Sequence, residues 1–227
     1  MEYPNTMTSS TASVGAPLAG AFSRALRAAR TSLGGWPRAL VALAAAALGL
    51  LYLFPLWHVG LKAPQYPEGL GMYIWVNQIT GQGAHDLQNI NGLNHYIGMK
   101  AIVPESIPEL RFMPILVGGL IATGLLVALW GRRRVLHAWV AVFALGAVAG
   151  LADFWRWGND YGHNLNPHAA IQIPGMSYQP PLIGTKQLLN FQATSWPALG
   201  GWIALAALLL AVGVAIREWR LARRSGR

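Results

Sequence analysis

The chain has 227 residues, of which 54% are hydrophobic and only 11% are charged. A soluble domain carries about 25% charged residues, so this composition excludes an ordinary soluble fold and predicts a membrane protein. The chain has no cysteine, which excludes disulfides, thiolate zinc sites and haem attached through a C-x-x-C-H motif.

Residues 1–35 are rich in Ser, Thr, Ala and Gly, and Arg24, Arg27 and Arg30 recur among them at helical spacing. This pattern is typical of a disordered tail that leads into a short basic amphipathic helix on an anionic membrane surface. A merely solvated basic tail would show the same composition, and both interpretations stay open.

Four apolar runs follow, at about residues 36–57, 112–130, 136–155 and 196–216. Each has about the 20 residues that a helix needs to cross the hydrocarbon core, and Trp and Tyr cluster at their ends, as interfacial anchors do. No small-x-small cleavage site follows the first run, so we predict a signal anchor rather than a cleaved signal peptide.

These runs predict an all-α integral membrane protein whose residues 36–216 form a four-transmembrane-helix bundle. The two long segments between spans, residues 58–111 and 157–195, are expected to form an extracytoplasmic cap. Residues 217–227 are expected to form a basic cytoplasmic tail. Glycines within the spans predict close helix packing, inside the bundle or with a partner; they are Gly118, Gly119, Gly124, Gly146, Gly150, Gly200 and Gly201.

The basic residues predict the orientation. Twelve arginines fall on one side of the predicted spans: Arg24, Arg27, Arg30, Arg38, Arg132, Arg133, Arg134, Arg217, Arg220, Arg223, Arg224 and Arg227. Five basic residues fall on the other: Lys62, Lys100, Arg111, Arg156 and Lys186. The positive-inside rule therefore predicts a multi-pass membrane protein with both termini in the cytoplasm. Membrane lipids then explain the formal charge of +9, and no nucleic-acid partner is needed.

The first outer segment contains the polar stretch HDLQNINGLNHYIGMK, His85 to Lys100. Its apolar spacing predicts a helix over 86–100, with His95 and Met99 one turn apart on a polar face. An imidazole beside a soft thioether favours copper, particularly Cu(I). The alternative is that this polar face packs on the second outer segment or meets water.

The second outer segment is punctuated by Pro and Gly, which predicts an extended and turned backbone. His163 and His168 lie five apart across an Asn-Pro turn, and Met176 follows. We therefore predict a copper site with His95, Met99 and His163 as preferred ligands; further candidates are Met176, His168 and His85. Histidines in such turns also bond to backbone, so a purely structural role stays open.

Other polar residues lie near the outer ends of the spans. Asp153 and Arg156 are spaced for an i, i+3 ion pair, and His58 is expected to be a hydrogen-bonding residue at the interface. A membrane redox subunit is the alternative function, holding haem b, or a quinol between Asp153, Trp155 and His58. No catalytic triad, phosphate loop or carboxylate dyad is recognisable, so no catalytic residues are predicted.

Several strings resemble those of a known family: LFPLWHVGLKAPQYPEGLGMYIW, DLQNINGLNHYIGMK, IPELRFMP and PGMSYQPPLIGTKQLLNF. Together with the four-span layout, they resemble the NosB-like small membrane proteins encoded beside nitrous-oxide reductase and its copper-delivery factors in clade II gene clusters. The resemblance covers about residues 50–200 and implies that the predicted spans cross the inner membrane of a bacterium. It implies an accessory role in denitrification, in periplasmic copper-enzyme maturation or electron supply. The implied partners are a periplasmic copper protein or its delivery factors, and no ligand set is implied.

Overall fold

A computed structural model describes residues 32–224. In chain order the elements are α1 (Gly35–Ala47), β1 (Trp57–Ala63), β2 (Tyr66–Ile74), β3 (Ile79–Gly81), α2 (Asp86–Ile97), α3 (Glu109–Trp130), α4 (Arg133–His163), β4 (Gly184–Leu188), β5 (Phe191–Pro197) and α5 (Leu199–Arg224). A 3-10 turn, Leu48–Tyr52, continues α1. The predictions for Arg24, Arg27 and Arg30, and for residues 225–227, lie outside the described residues.

Within the described residues, four helices are long and apolar enough to cross a membrane: Gly35–Tyr52, Glu109–Trp130, Arg133–His163 and Leu199–Arg224. The four predicted spans are therefore confirmed as helices, although their ends differ. Trp57 and Trp196, which the apolar runs place at span ends, lie instead in β1 and β5. The third helix continues past the predicted end at residue 155 as far as His163.

The all-α prediction is wrong. Residues 32–224 contain a five-stranded antiparallel sheet in the order β3-β2-β1-β5-β4, so the fold is mixed α and β. The central strand β1 pairs with β2 from the same outer segment and with β5 from the other. Leu61 lies opposite Leu70 on one side and Ala193 on the other. The two predicted loops are therefore parts of one sheet, joined by main-chain hydrogen bonds.

Alternation of side chains explains the two faces of this sheet. In a strand, successive side chains point to opposite faces, so Trp57 and Leu61 share one face while His58 and Lys62 share the other. Trp57 contacts Phe154 of α4, with ring centroids 5.4 Å apart, and donates a hydrogen bond to Ser195. Trp57 therefore contacts α4 on one face of the sheet, and Lys62 lies exposed on the opposite face.

The bundle core is built from small side chains. Val41, Ala44 and Ala45 of α1 are almost fully buried. A Cβ at Gly124 of α3 would lie 2.7 Å from Cβ of Ala45 and 2.6 Å from the Trp139 ring, so the predicted close packing is confirmed there. Gly146 and Gly150 differ, because nothing in the described chain lies within 4 Å of a Cβ at either position.

Charged groups join the helices at the end of the bundle remote from the sheet. Glu218 is 2% exposed and accepts hydrogen bonds from Arg133 and Arg217, each at 2.8 Å. Arg38 donates to the carbonyl oxygens of Ala128 and Leu129. A buried carboxylate is costly unless it is paired, so Glu218 ties α5 to α4 at this end.

Candidate functional site at the junction of the outer segments

The two outer segments meet at the C-terminal end of α2. The amide of Asn166 donates to the Gly98 carbonyl at 2.8 Å, and the amide of Ile171 donates to the Tyr96 carbonyl at 2.9 Å. Lys100 and Asp160 form an ion pair of 2.7 Å. These three contacts hold the region after α4 against the last turn of α2. We call this region, residues 95–100 with 160–171, the loop junction.

Gly98 makes this close approach possible. Its φ is +83°, in the left-handed region that favours glycine, and it ends α2 as helix-terminating glycines do. A Cβ there would lie 3.0 Å from Cβ of Ala169 and from the backbone of Asn166. Any other residue would therefore be strained and would push the two segments apart.

Two asparagines of the polar stretch have structural roles. Asn91 both donates to the Ile102 carbonyl at 3.0 Å and accepts from the Ile102 amide at 2.8 Å. Asn94 is 7% exposed and donates to the Lys100 carbonyl. These two asparagines thus fix the chain that leaves α2. Their side chains bond within the first outer segment, so they do not make the contact with the second outer segment that the structural alternative predicts.

The preferred copper ligands lie around the loop junction. His95 is exposed on the last turn of α2, and Met99 is half-buried. The helix predicted over 86–100 is confirmed, but it ends at Ile97, so Met99 follows the Gly98 turn instead of lying one helical turn from His95. His163 ends α4, three residues after Asp160, and is exposed. The structure therefore brings the segments that carry these three residues together.

The donor chemistry of these residues fits Cu(I). Nδ1 of His163 lies 3.0 Å from the Asn159 carbonyl, and metal-binding histidines commonly donate their second ring N–H in this way. Nε2 is then left for an ion. No group of three or more His, Asp or Glu side chains able to hold a metal is found in residues 32–224. The predicted copper site has two histidines and one methionine. Because methionine is not one of these residue types, the absence of such a group does not test the site, and the site stays a prediction.

The further candidates are less well placed. His85 precedes α2, and ten residues separate it from His95, about 15 Å along a helix axis. The amide of His168 donates to Oδ1 of Asn166 at 2.9 Å, which makes a side-chain-stabilised turn of the kind that asparagine favours. The amide of Met176 donates to the Ile173 carbonyl. His85 is thus separated from the loop junction, and His168 lies within it.

The smaller predictions at the span ends are confirmed. Arg156 pairs with Asp153 at 2.8 Å and also with Glu109 at 3.3 Å. His58 forms a hydrogen bond with Oε1 of Gln82 at 2.9 Å. His58 and Trp57 face opposite sides of β1, and Trp57 contacts Phe154. His58 therefore points away from the side of β1 that contacts α4, the helix that carries the other two residues of the predicted quinol set, Asp153 and Trp155.

Sequence reasoning missed Asp86. Its Oδ2 accepts hydrogen bonds from the amides of Gly71 at 2.9 Å and Gly83 at 3.0 Å, which fixes the start of α2 against β2 and the turn after β3. An acidic residue in the first turn of a helix is a recognised signal. Its bond to a strand depends on a sheet that the helical prediction did not contain.

The fold and the site define a class of protein: four membrane-length helices that carry a folded α/β cap. No protein-family model matches the chain, and no curated protein matches it significantly.

Proposed function

We propose that the four helices cross the bacterial inner membrane with the termini in the cytoplasm and the sheet in the periplasm. The bias of arginine towards the end remote from the sheet supports this orientation. Trp36 and Trp130 are each at least half exposed at helix ends, where tryptophan prefers the interface between lipid and water.

The absence of cysteine gives a direct test of orientation. Gln187→Cys places one thiol on the exposed face of β4, and Arg224→Cys places one at the end of α5. A membrane-impermeant maleimide added to intact spheroplasts should label Gln187→Cys, and label Arg224→Cys only after lysis. The reverse pattern would overturn the proposed orientation.

We propose further that the protein is an accessory factor for a periplasmic copper enzyme of the nitrous-oxide reductase type, acting in its maturation or electron supply. The loop junction carries this proposal, because it brings the segments bearing His95, Met99 and His163 together on the cap. The resemblance of the motif strings supports the same role. Binding and docking surfaces commonly lie on loops positioned by a rigid scaffold, and the helix bundle would be that scaffold.

His95, Met99 and His163 are the residues that would hold the metal. The bound Cu(I) ion would be the copper that is transferred to the enzyme during maturation. The other contacts of the loop junction would orient these residues: the His163 bond to Asn159 sets its ring, and the Lys100–Asp160 pair fixes the spacing of the two segments. Detergent-purified protein should bind about one Cu(I) per chain.

The double variant His95→Ala/Met99→Ala should lose this Cu(I) in competition with a chromogenic Cu(I) chelator. His85→Ala is the matched control, since it removes an exposed histidine at the far end of the same helix and should leave binding unchanged. Equal binding by all three proteins would refute the proposed ligand set.

The cellular role needs a separate experiment. The periplasmic reductase would be purified from cells with and without this protein, and its copper content and the nitrous-oxide reduction of the cells compared. Copper-deficient reductase would support maturation, and fully loaded enzyme in cells that do not reduce nitrous oxide would support electron supply. Unchanged copper and unchanged reduction would overturn the accessory role.

A further inference from the structure

A second site lies where the sheet meets the bundle. A cleft of about 500 Å³ opens there, lined by Pro55, His58, Tyr73, Trp75, Ala198 and Leu199. Pro55 comes shortly after the turn that ends the first membrane-length helix, and Leu199 begins the last. With the helices crossing the membrane as proposed above, the cleft opens at the level where lipid headgroups meet the bilayer core. The cleft is broad and open on one side, so a ligand would lie against its wall and not in an enclosed cavity.

The walls of this cleft are largely apolar and aromatic, with two polar groups. Oε1 of Gln82 lies 2.9 Å from Nε2 of His58 and accepts a hydrogen bond from the N–H at Nε2, which leaves Nδ1 as an acceptor. Among residues 32–224, the Tyr73 hydroxyl has no hydrogen-bond partner, while its ring lies 4.9 Å from the His58 ring. The cleft thus offers one acceptor and one donor.

These groups are held in place before any ligand arrives. The His58 ring lies over glycine backbone, since a Cβ at Gly71 would come within 2.8 Å of its Nε2 and one at Gly60 within 3.3 Å of its Cε1. The Trp75 indole donates to Oγ1 of Thr80 at 2.9 Å. A binding site whose side chains are already ordered loses less conformational freedom on binding.

We propose that this cleft binds the headgroup of a lipid-soluble quinone. A flat ring fits against Trp75 and Tyr73, a quinone carbonyl would accept from the Tyr73 hydroxyl, and a quinol hydroxyl would donate to Nδ1 of His58. The isoprenoid tail would leave past Leu199 into the membrane. The proposal concerns binding alone, does not depend on copper binding at the loop junction, and shares only His58 with the set predicted from sequence.

The charge of the lining distinguishes this ligand from the other lipids. None of the six lining residues is Lys or Arg, so the phosphate of an anionic phospholipid would find no counter-charge, and phosphate sites normally use one. An uncharged, hydrogen-bonding ring is the membrane-soluble chemistry that the lining accommodates.

The test uses the full chain in nanodiscs of uncharged lipid, titrated calorimetrically with a decyl-substituted benzoquinone, with protein-free discs subtracted. We expect saturable binding at one site. Ala198→Trp, which fills the cleft, should abolish it, and Tyr73→Phe should weaken it about tenfold, the equivalent of one hydrogen bond. Ala170→Trp and Tyr96→Phe, at exposed positions on the outer segments, should bind normally.

Ala198→Trp and Ala170→Trp should have the same helical circular dichroism, which would show that both variants fold. If Ala198→Trp does not fold, the binding measured for Tyr73→Phe still tests the proposal independently. Failure of the unsubstituted protein to bind saturably, or equal binding by the Tyr73→Phe and Tyr96→Phe variants, would overturn the proposal. So would displacement of the quinone by phosphatidylglycerol at equal concentration, because that would make the ligand a phospholipid. None of these outcomes bears on the Cu(I) measurement.

Discussion

The bundle and the cap are held together by different kinds of contact. In the bundle, helices approach through small residues such as Ala45 and Gly124, and Glu218 ties α4 to α5 at the end remote from the sheet. In the cap, strands from distant parts of the chain share main-chain hydrogen bonds, as β1 and β5 do. The bundle therefore depends on side-chain fit and one buried carboxylate, and the cap depends on strand register and a few glycines.

The largest predicted loss of stability comes from a substitution at Glu218. Glu218→Leu removes the carboxylate that pairs with Arg133 and Arg217 at the end of the bundle remote from the sheet. Breaking a buried ion pair typically costs about 3–5 kcal/mol. The side chains of Arg133 and Arg217 are 19% and 43% exposed, so water partly solvates the charges left behind, and we expect a loss at the lower end, about 3 kcal/mol. Thermal unfolding in detergent measures it.

Glu105→Gln is the control for this variant, because the Glu105 side chain is exposed and its backbone carbonyl accepts the bond from Arg111. A Glu218→Leu protein as stable as Glu105→Gln would mean that the Glu218 carboxylate does not stabilise the contact between α4 and α5.

The next largest loss of stability is expected where the start of α5 packs against the segment between α1 and β1. A Cβ at Gly200 would lie 2.6 Å from the Phe54 carbonyl oxygen and 2.7 Å from that of Pro55, so Gly200→Ala should destabilise the protein by about 2 kcal/mol. Gly213→Ala lies in the same helix with nothing within 4 Å and should be neutral or slightly stabilising. Chemical denaturation of both variants in the same detergent makes the comparison. Equal stabilities would show that α5 does not pack on this turn.

A smaller effect is expected at the loop junction. Gly98→Ala should cost about 1–2 kcal/mol, because it adds left-handed strain to the clash with Asn166 and Ala169. Gly92→Ala, in an open position of the same helix, should be slightly stabilising. Limited proteolysis of residues 164–183 should accelerate in Gly98→Ala alone. Equal cleavage rates would argue that the two outer segments do not meet at Gly98.

The smallest effect concerns the β4–β5 hairpin. Leu189 has a φ of +55°, in the left-handed region that leucine rarely adopts and asparagine tolerates better. Leu189→Asn should therefore stabilise the protein by about 0.5 kcal/mol, which repeated denaturant titrations can resolve. A destabilised variant would indicate a different turn.

The spans could be predicted because their signal is local: a run of apolar residues of membrane length is visible in one window. The sheet could not be found in that way. The alternation of Trp57, Val59 and Leu61 with His58, Gly60 and Lys62 was available in the sequence. The pairing of β1 with β5 joins residues 130 to 140 positions apart, and no local pattern specifies such a partner.

The candidate site shows the same division: its local features were predictable from the sequence, and its long-range contacts were not. The helix that carries His95 and the residue types of the site follow from the sequence. The meeting of Gly98 with Asn166 does not, because it depends on tertiary packing. The cleft around Tyr73 and Trp75 was missed altogether, since its walls come from two strands and the start of α5.

One measurement tests most directly the claim that both outer segments form a single sheet. Lys62 and Gln192 are directly opposite each other in β1 and β5, and opposed residues of antiparallel strands have Cα atoms about 4.5–5.5 Å apart, within disulfide range. Lys62→Cys/Gln192→Cys, oxidised after purification, should form an intramolecular disulfide that shifts its mobility on a non-reducing gel. Lys62→Cys/Gln88→Cys, which joins β1 to α2, should remain reduced. Two free, maleimide-reactive thiols in the first variant after oxidation would contradict the sheet.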